Sequence, residues 1–140
     1  MQQKSISSIF VIQNALLASR LSRKVGNRLS AHGISLTEYL VMDYLSNCPH
    51  REVPRIELAE HLGMSASGVT RLLMPMEKNG LIEKVRNPRD SRQSLVRLSD
   101  TGQRLFEEAS VSFAHITGDL VSQLSQSQQE IVVKLYTKVV

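Results

Sequence analysis

The sequence predicts a mainly α-helical chain carrying one small β-hairpin. Three observations support that class. Apolar residues recur at helical spacing over most of the chain. Two short segments, "LIEKVR" and "SLVRL", hold strand-type residues on either side of a turn-forming stretch. Serine and glycine stand where helix ends need caps.

The first helix is expected from Ile6 to about His32, with Ile9, Leu16, Leu17, Leu21, Val25 and Leu29 near helical spacing and Gly33 as its C-terminal cap. Ser35 and Glu38 have capping-box spacing, so a second helix starts there and runs to about Asn47, before Pro49. Pro54 suits the first turn of a short third helix, "PRIELAEHLG", closed by Gly63. Ser65 opens a fourth helix reaching Asn79, with Gly80 as its stop. After the hairpin, Ser99 caps a long fifth helix, along which Leu105, Ala109, Phe113, Ile116, Leu120 and Leu124 form a coiled-coil-like seam. Ser125 and Gln128 form a second capping box before a last helix bearing Ile131, Val132, Leu135 and Val139.

A length of 140 residues suits a single domain over 1–140, and 41% hydrophobic residues supply a core. The net charge of +4 is compatible with a polyanionic partner without specifying one. Cys48 is the only cysteine, which excludes an internal disulfide and a cysteine-based zinc site. No apolar run approaches the roughly 20 residues of a membrane span. "MQQKSISSIF" lacks a secretory apolar region, so a cytoplasmic location without a membrane partner is expected. Two arrangements satisfy the stripes of the terminal helices, core packing within the chain and a dimer interface. A chain this short has few internal partners for two amphipathic ends, which favours a homodimer.

The stretch "IELAEHLGMSASGVTRLLMPMEKNGLI" has the spacing of a helix-turn-helix. Leu58, Ala59 and Leu62 form one apolar face, small Ala59 allows a close crossing, and Gly63 permits the turn. Val69, Leu72, Leu73 and Met76 face inward on the second helix. Such a helix reads the DNA major groove with its outward N-terminal residues, here Ser65, Ala66, Ser67, Thr70 and Arg71. Hydroxyls suit phosphates or base edges, an alanine or threonine methyl can touch a thymine methyl, and Arg71 can fork onto guanine or clamp a phosphate. Ser65 as a bare N-cap and Arg71 as a solvated cation is the plainer alternative. The basic hairpin that follows favours DNA: between Lys84 and Arg97 the cations are Lys84, Arg86, Arg89, Arg92 and Arg97, against Asp90 alone.

Two segments, "ELAEHLGMSASGVTRLLMPMEKNGLIEK" and "RNPRDSRQSLVRLSDTG", resemble the MarR family of winged helix-turn-helix regulators over nearly the whole chain. The second resembles the family's wing, with Asp90 and Arg92 as its Asp-x-Arg and with Leu98, Ser99 and Gly102 leading into the next helix. The resemblance implies a winged helix-turn-helix lobe at about 35–99, with dimerisation helices at about 5–33 and 100–140. It implies a homodimer on a pseudo-palindromic double-stranded operator, acting as a transcriptional regulator, with repression relieved by a small effector the favoured mode. It also implies that Arg92 reaches the minor groove or its phosphates while Asp90 orients it. A narrow minor groove attracts arginine, and a carboxylate can hold a guanidinium in one geometry. Family effectors are small, often aromatic anions held between the dimer helices and the lobe. Tyr39 and Phe113 are placed to line such a pocket, and each reads more simply as core. An architectural DNA binder and a winged-helix module for a protein partner are the alternative functions.

Two residues depart from the family's usual pattern. Gly68 lies inside the reading helix, where glycine costs about 1 kcal/mol against alanine, offset by close approach to DNA or to the preceding helix. Pro75 removes an N–H from the same helix, so a kink or an early end is expected there. Arg20, Arg23, Lys24 and Arg28 read as a solvated face rather than a phosphate contact. His50 near Cys48 is the one suggestive metal-type pair among His32, His50, His61 and His115, and its spacing does not favour a site; no cofactor is expected. The family's cysteine-based peroxide sensing does not carry over, because the first helix has no cysteine. No nucleophile elbow, phosphate-binding glycine loop or paired carboxylates point to an enzyme.

Overall fold

The computed structural model describes residues 3–139; the ends of the expected 1–140 domain, residues 1, 2 and 140, lie outside the described residues. Helix α1 (Ile6–Leu29) starts on Ser5, whose Oγ accepts from the Ser8 N–H. Its expected last turn, Ser30–His32, is a separate 3₁₀ turn ended by Gly33 at φ 75°. Helix α2 (Leu36–Ser46) carries the complete capping box of Ser35 and Glu38.

The middle of the chain corrects one expectation. The sheet has three antiparallel strands, not two. Strand β1 (Glu52–Pro54) pairs with β3 (Ser94–Leu98), which also pairs with β2 (Ile82–Arg86), giving the order β1-β3-β2. Pro54 therefore ends an edge strand, where its missing N–H costs no ladder bond, and serves as N-cap of α3 (Arg55–Leu62). Val53 lies opposite Val96 and both are buried, so the extra strand extends the core.

Gly63, at φ 64°, turns the chain from α3 into α4 (Ala66–Lys78). Val69, Leu73 and Met76 are buried beneath α4, and Leu58 and Ala59 meet them from α3. The kink or early end expected at Pro75 does not cut the helix short, because α4 runs on to Lys78. Pro75 and Arg71 both lie on its exposed side, where water can take the carbonyl that Pro75 leaves without a donor. The ladder resumes at once, with the Asn79 N–H on the Pro75 carbonyl at 3.0 Å.

Helix α5 (Asp100–Leu120) closes the lobe and reaches back along the chain's ends. Its seam buries Ala109 and Ile116, but Leu124 lies beyond the helix end, in the turn before α6 (Gln126–Tyr136). The capping box of Ser125 and Gln128 is present on α6. Tyr39 of α2 stacks on Phe113 with ring centres 4.2 Å apart and lies 5.2 Å from Phe106. Its hydroxyl sits 3.0 Å from Ser110 Oγ, whose own proton goes to the Phe106 carbonyl. Burial, more than the Ser110 bond that opposes it, pushes the Tyr39 phenol above its ordinary pKa. These aromatics fill the α2–α5 contact, so they are core, as their simpler reading had it.

The junction of β3 and α5 is the tightest place in the fold. Ser99 is buried; the single proton of its Oγ is directed to the Gly80 carbonyl at 2.6 Å with the Leu81 carbonyl at 3.0 Å as a second, shared acceptor, and the Oγ accepts from the Gly102 N–H at 2.9 Å. The Ser99 N–H donates to the Leu81 carbonyl at 3.0 Å. A Cβ on Gly102 would overlap the Leu81 carbonyl oxygen and stand 2.6 Å from Leu98 Cδ1. Gly102→Ala is therefore expected to cost about 1–3 kcal/mol or more through overpacking against backbone. Ser99→Ala is expected to cost about 1–3 kcal/mol by stripping a buried donor and a cap. Urea denaturation with unchanged m-values checks both; a Gly102→Ala midpoint equal to wild type would contradict this packing.

Candidate nucleic-acid interface

Every side chain expected to read bases lies on the exposed N-terminal part of α4. Ser65 is the N-cap, and its Oγ accepts from the Gly68 N–H at 3.1 Å. Ser67 Oγ lies 3.3 Å from Ser65 Oγ. Ala66, Ser67, Thr70 and Arg71 are all exposed. The capped serine also accounts for part of Gly68. A Cβ there would meet Ser65 Oγ at 3.2 Å and Met64 Cε at 3.3 Å, tighter than ordinary contact. The close neighbours are the cap and the turn, not the body of the preceding helix.

Thr70 is more engaged than its sequence position suggests. Its hydroxyl donates to the Ala66 carbonyl at 3.1 Å and accepts from Arg55 Nη2 at 3.0 Å. Arg55, the first residue of α3, did not stand out in the sequence analysis. One signal was available, since a cation at a helix N-terminus opposes the helix dipole and calls for a reason.

The wing is a hairpin with a pre-shaped tip. Asn87 Oδ1 accepts from the Arg89 N–H at 3.0 Å, and Asp90 Oδ1 accepts from the Arg92 N–H at 3.0 Å. The Asp90 carbonyl takes the Gln93 N–H at 3.0 Å. These side-chain turns fix the backbone of the tip and leave its cations pointing outward. Arg86, Arg89 and Arg92 are exposed. The Arg92 side chain is 93% exposed, and its Nε is 3.6 Å from Asp90 Oδ1, beyond hydrogen-bond reach. Asp90 thus braces the turn through the Arg92 backbone, with only a loose ion pair to the guanidinium.

The cations divide sharply by partner. Arg97 lies opposite Glu52 on β1 and Glu83 on β2; its Nε donates to Glu52 Oε2 at 2.8 Å and its Nη2 lies 2.6 Å from the same oxygen. Arg51 Nη2 donates to Asp100 Oδ1 at 2.6 Å, and this bond holds the Asp100 carboxyl below the usual carboxylate pKa. Among the described residues, no ion pair engages Arg71, Arg86 or Arg89. Arg20, Arg23, Lys24 and Arg28 are exposed along α1.

His61, His32 and Cys48 have partners within the fold. His61 stacks on Tyr44 at 3.9 Å, and His32 Nε2 lies 2.8 Å from Ser112 Oγ. Cys48 Sγ donates to the Tyr44 carbonyl at 3.2 Å, and burial, with a smaller push from Glu57, raises its thiol pKa. Less thiolate means slower chemistry. Cys48 in the native chain is expected to react with a disulfide reagent at pH 8 more slowly than in urea, with the rate still rising above pH 9. Equal native and unfolded rates at pH 8 would contradict the burial argument.

No helix among the described residues is long and apolar enough to cross a membrane. The fold matches that of Sco3205 from Streptomyces coelicolor, described as a MarR family transcriptional regulator in complex with DNA. The TM-score is 0.86 at 20% identity, covering 99% of this chain and 89% of that one. Two Bacillus subtilis (strain 168) proteins are similar in sequence. The HTH-type transcriptional regulator YhbI is 28% identical over 107 residues, covering 76% of this chain and 68% of YhbI. The HTH-type transcriptional regulator YdgJ is 23% identical over 87 residues, covering 62% of this chain and 53%, about half, of YdgJ. Residues 24–109 match the family described as "Transcriptional regulator SarA/Rot". That stretch holds the second to fourth helices, the whole wing and the wing-to-helix junction, and it places this chain in the SarA/Rot family of transcriptional regulators, which are not enzymes.

Proposed function

We propose that the chain binds double-stranded DNA sequence-specifically as a homodimer, with α4 in the major groove and the β2–β3 wing against the adjacent minor groove or its phosphates. One observation carries the reading. The N-terminal side of α4 and the wing hold exposed Arg71, Arg86, Arg89 and Arg92, while Arg51 and Arg97 are paired with Asp100 and Glu52 within the fold. A pre-shaped cationic hairpin that directly follows a capped, polar helix matches the electrostatic footprint of a DNA reader. The DNA-bound state of Sco3205, similar in fold, supports it.

Dimerisation is supported by the two ends of the chain. Phe10, Ile12, Leu16 and Leu17 on α1 and Ile131, Val132 and Leu135 on α6 are exposed, a large apolar surface for one chain to leave in water. Two DNA lobes then meet half-sites about one helical turn apart. Control by an effector follows as a population shift, in which a small molecule stabilises a lobe spacing that mismatches the operator and relieves repression. A groove of ≈ 310 Å³ between α1 and α5, lined by Lys24, Asn27, Arg28, Ile116, Asp119 and Leu120, offers a small effector two cations and an apolar wall, with the Asp119 carboxylate favouring a ligand that also donates a hydrogen bond.

Footprinting on DNA upstream of the chain's own gene should show a discrete, pseudo-palindromic protected site. Diffuse protection would favour an architectural binder, and no protection under competition with mixed genomic DNA would favour a protein-binding module. In fluorescence anisotropy, Arg92→Ala should weaken binding by about 1–3 kcal/mol. Arg89→Ala should lower the slope of log K against log salt by about one. Unchanged affinity and slope in both variants would sink the wing's role. Sedimentation equilibrium should give twice the chain mass, falling to the monomer in Leu17→Glu; a wild-type monomer at micromolar concentration would contradict the dimer.

A further inference from the structure

The hydrogen bond between Arg55 and Thr70 constrains how the reading helix can work. A threonine hydroxyl has one proton and two acceptor positions. The Thr70 proton goes to the Ala66 carbonyl at 3.1 Å, and one acceptor position takes Arg55 Nη2 at 3.0 Å. Thr70 therefore has no proton to donate to a purine N7, guanine O6 or thymine O4. It retains a methyl, which suits thymine C5-methyl, and a single acceptor position.

Arg55 is left with guanidinium N–H groups to spare. It opens α3, whose N-cap is Pro54 and has no side-chain cap bond. A cation on the positive end of a helix is held against the dipole unless an anion stands nearby. Glu57, in the same turn, and Glu60, on the same groove wall, are the acids at hand, and neither forms an ion pair with Arg55 among the described residues. In a helix-turn-helix the first helix crosses the DNA backbone, and the bond to Thr70 sets Arg55 beside the exposed side of the reading helix.

We infer that Arg55 is a specificity-determining residue: it clamps a DNA phosphate and, through its bond to Thr70, fixes that side chain as a methyl-presenting reader of thymine. The inference rests on the DNA-binding reading above. Arg55 couples a contact that carries no sequence information to one that does. Losing it frees the Thr70 hydroxyl and blurs one base position as well as weakening binding.

The test selects sites from random-sequence duplex DNA with wild type, Arg55→Ala, Arg55→Lys, Thr70→Val and the double variant Arg55→Ala with Thr70→Val, after circular dichroism confirms that each is folded. Wild type should select a discrete site with thymine at the position that Thr70→Val preserves. Arg55→Ala should bind that site about tenfold more weakly, with the salt slope reduced by about one and the thymine preference relaxed. Arg55→Lys, which keeps the charge without the fork, should restore the salt slope but not the full preference. In the double variant, the thymine preference should return, because valine keeps the methyl without a hydroxyl to be freed. A wild type that selects a discrete site beside an Arg55→Ala variant with unchanged slope and preference overturns this inference alone. A wild type that selects no site overturns the DNA-binding reading and this inference with it.

Discussion

The structure depends first on the buried Ser99. Its hydroxyl and its N–H hold the carbonyls of Gly80 and Leu81, the turn that ends α4, while it caps α5 through the Gly102 N–H. Gly102 allows the helix start to lie against that turn at a distance no side chain would permit. One residue thus joins the end of the reading helix, the return strand of the wing and the start of the long α5. The start of α5 is thereby held directly against the turn that ends α4. The Tyr39–Phe113 stack ties the same helix to α2 further along, so α5 is bound to the lobe at two points along its length.

Electrostatics then sort the lobe into a neutralised edge and an unsatisfied one. Arg97 is flanked by acids on both neighbouring strands, and Arg51 is bonded to Asp100. Partly exposed pairs of this kind add little stability on their own, but they fix where the field of the protein is strong. With those two cations paired, Arg71, Arg86 and Arg89 are exposed cations of the lobe that no ion pair engages among the described residues. Asp90 belongs to that arrangement in a way its position in a cationic loop hides. By accepting the Arg92 N–H it shapes the turn, and its charge is too far from the guanidinium to form a direct hydrogen bond. Two side-chain turns thus hold the backbone of the tip while the Arg92 side chain stays exposed.

Much of this architecture was legible in the sequence because it is written in local rules. The capping boxes at Ser35 and Ser125, the N-caps Ser65 and Ser99, and the turn glycines Gly33, Gly63 and Gly80 each act within a few residues, and each lies where its spacing predicts. What sequence reasoning missed depends on distant partners. Strand β1 is three residues long and carries no strand signature of its own; it exists because Val96 and Arg97, far along the chain, offer Val53 and Glu52 partners. The same applies to Arg55, whose partner lies across the turn on the next helix. The early end that Pro75 suggests is absent for another reason: residues 71 and 75 are exposed, and the helix is anchored on its other side by buried Val69, Leu73 and Met76.

That anchoring explains how a helix with both a glycine and a proline can still present side chains accurately. Glycine at Gly68 and proline at Pro75 weaken the intrinsic preference of α4, so propensity alone would leave its ends frayed. The buried side supplies what propensity lacks: Met76 and Leu73 are fully enclosed, and Ser65 closes the first turn on the Gly68 N–H. The exposed side is then free to be chosen for chemistry rather than for helix strength. Small residues at Ala66, Ser67 and Gly68 bring the backbone itself near whatever the helix meets, and Thr70 and Arg71 follow one turn later with the first side chains of any reach. The glycine that weakens the leading turn as a helix also removes side-chain bulk there, which suits close approach of the backbone to a polyanion.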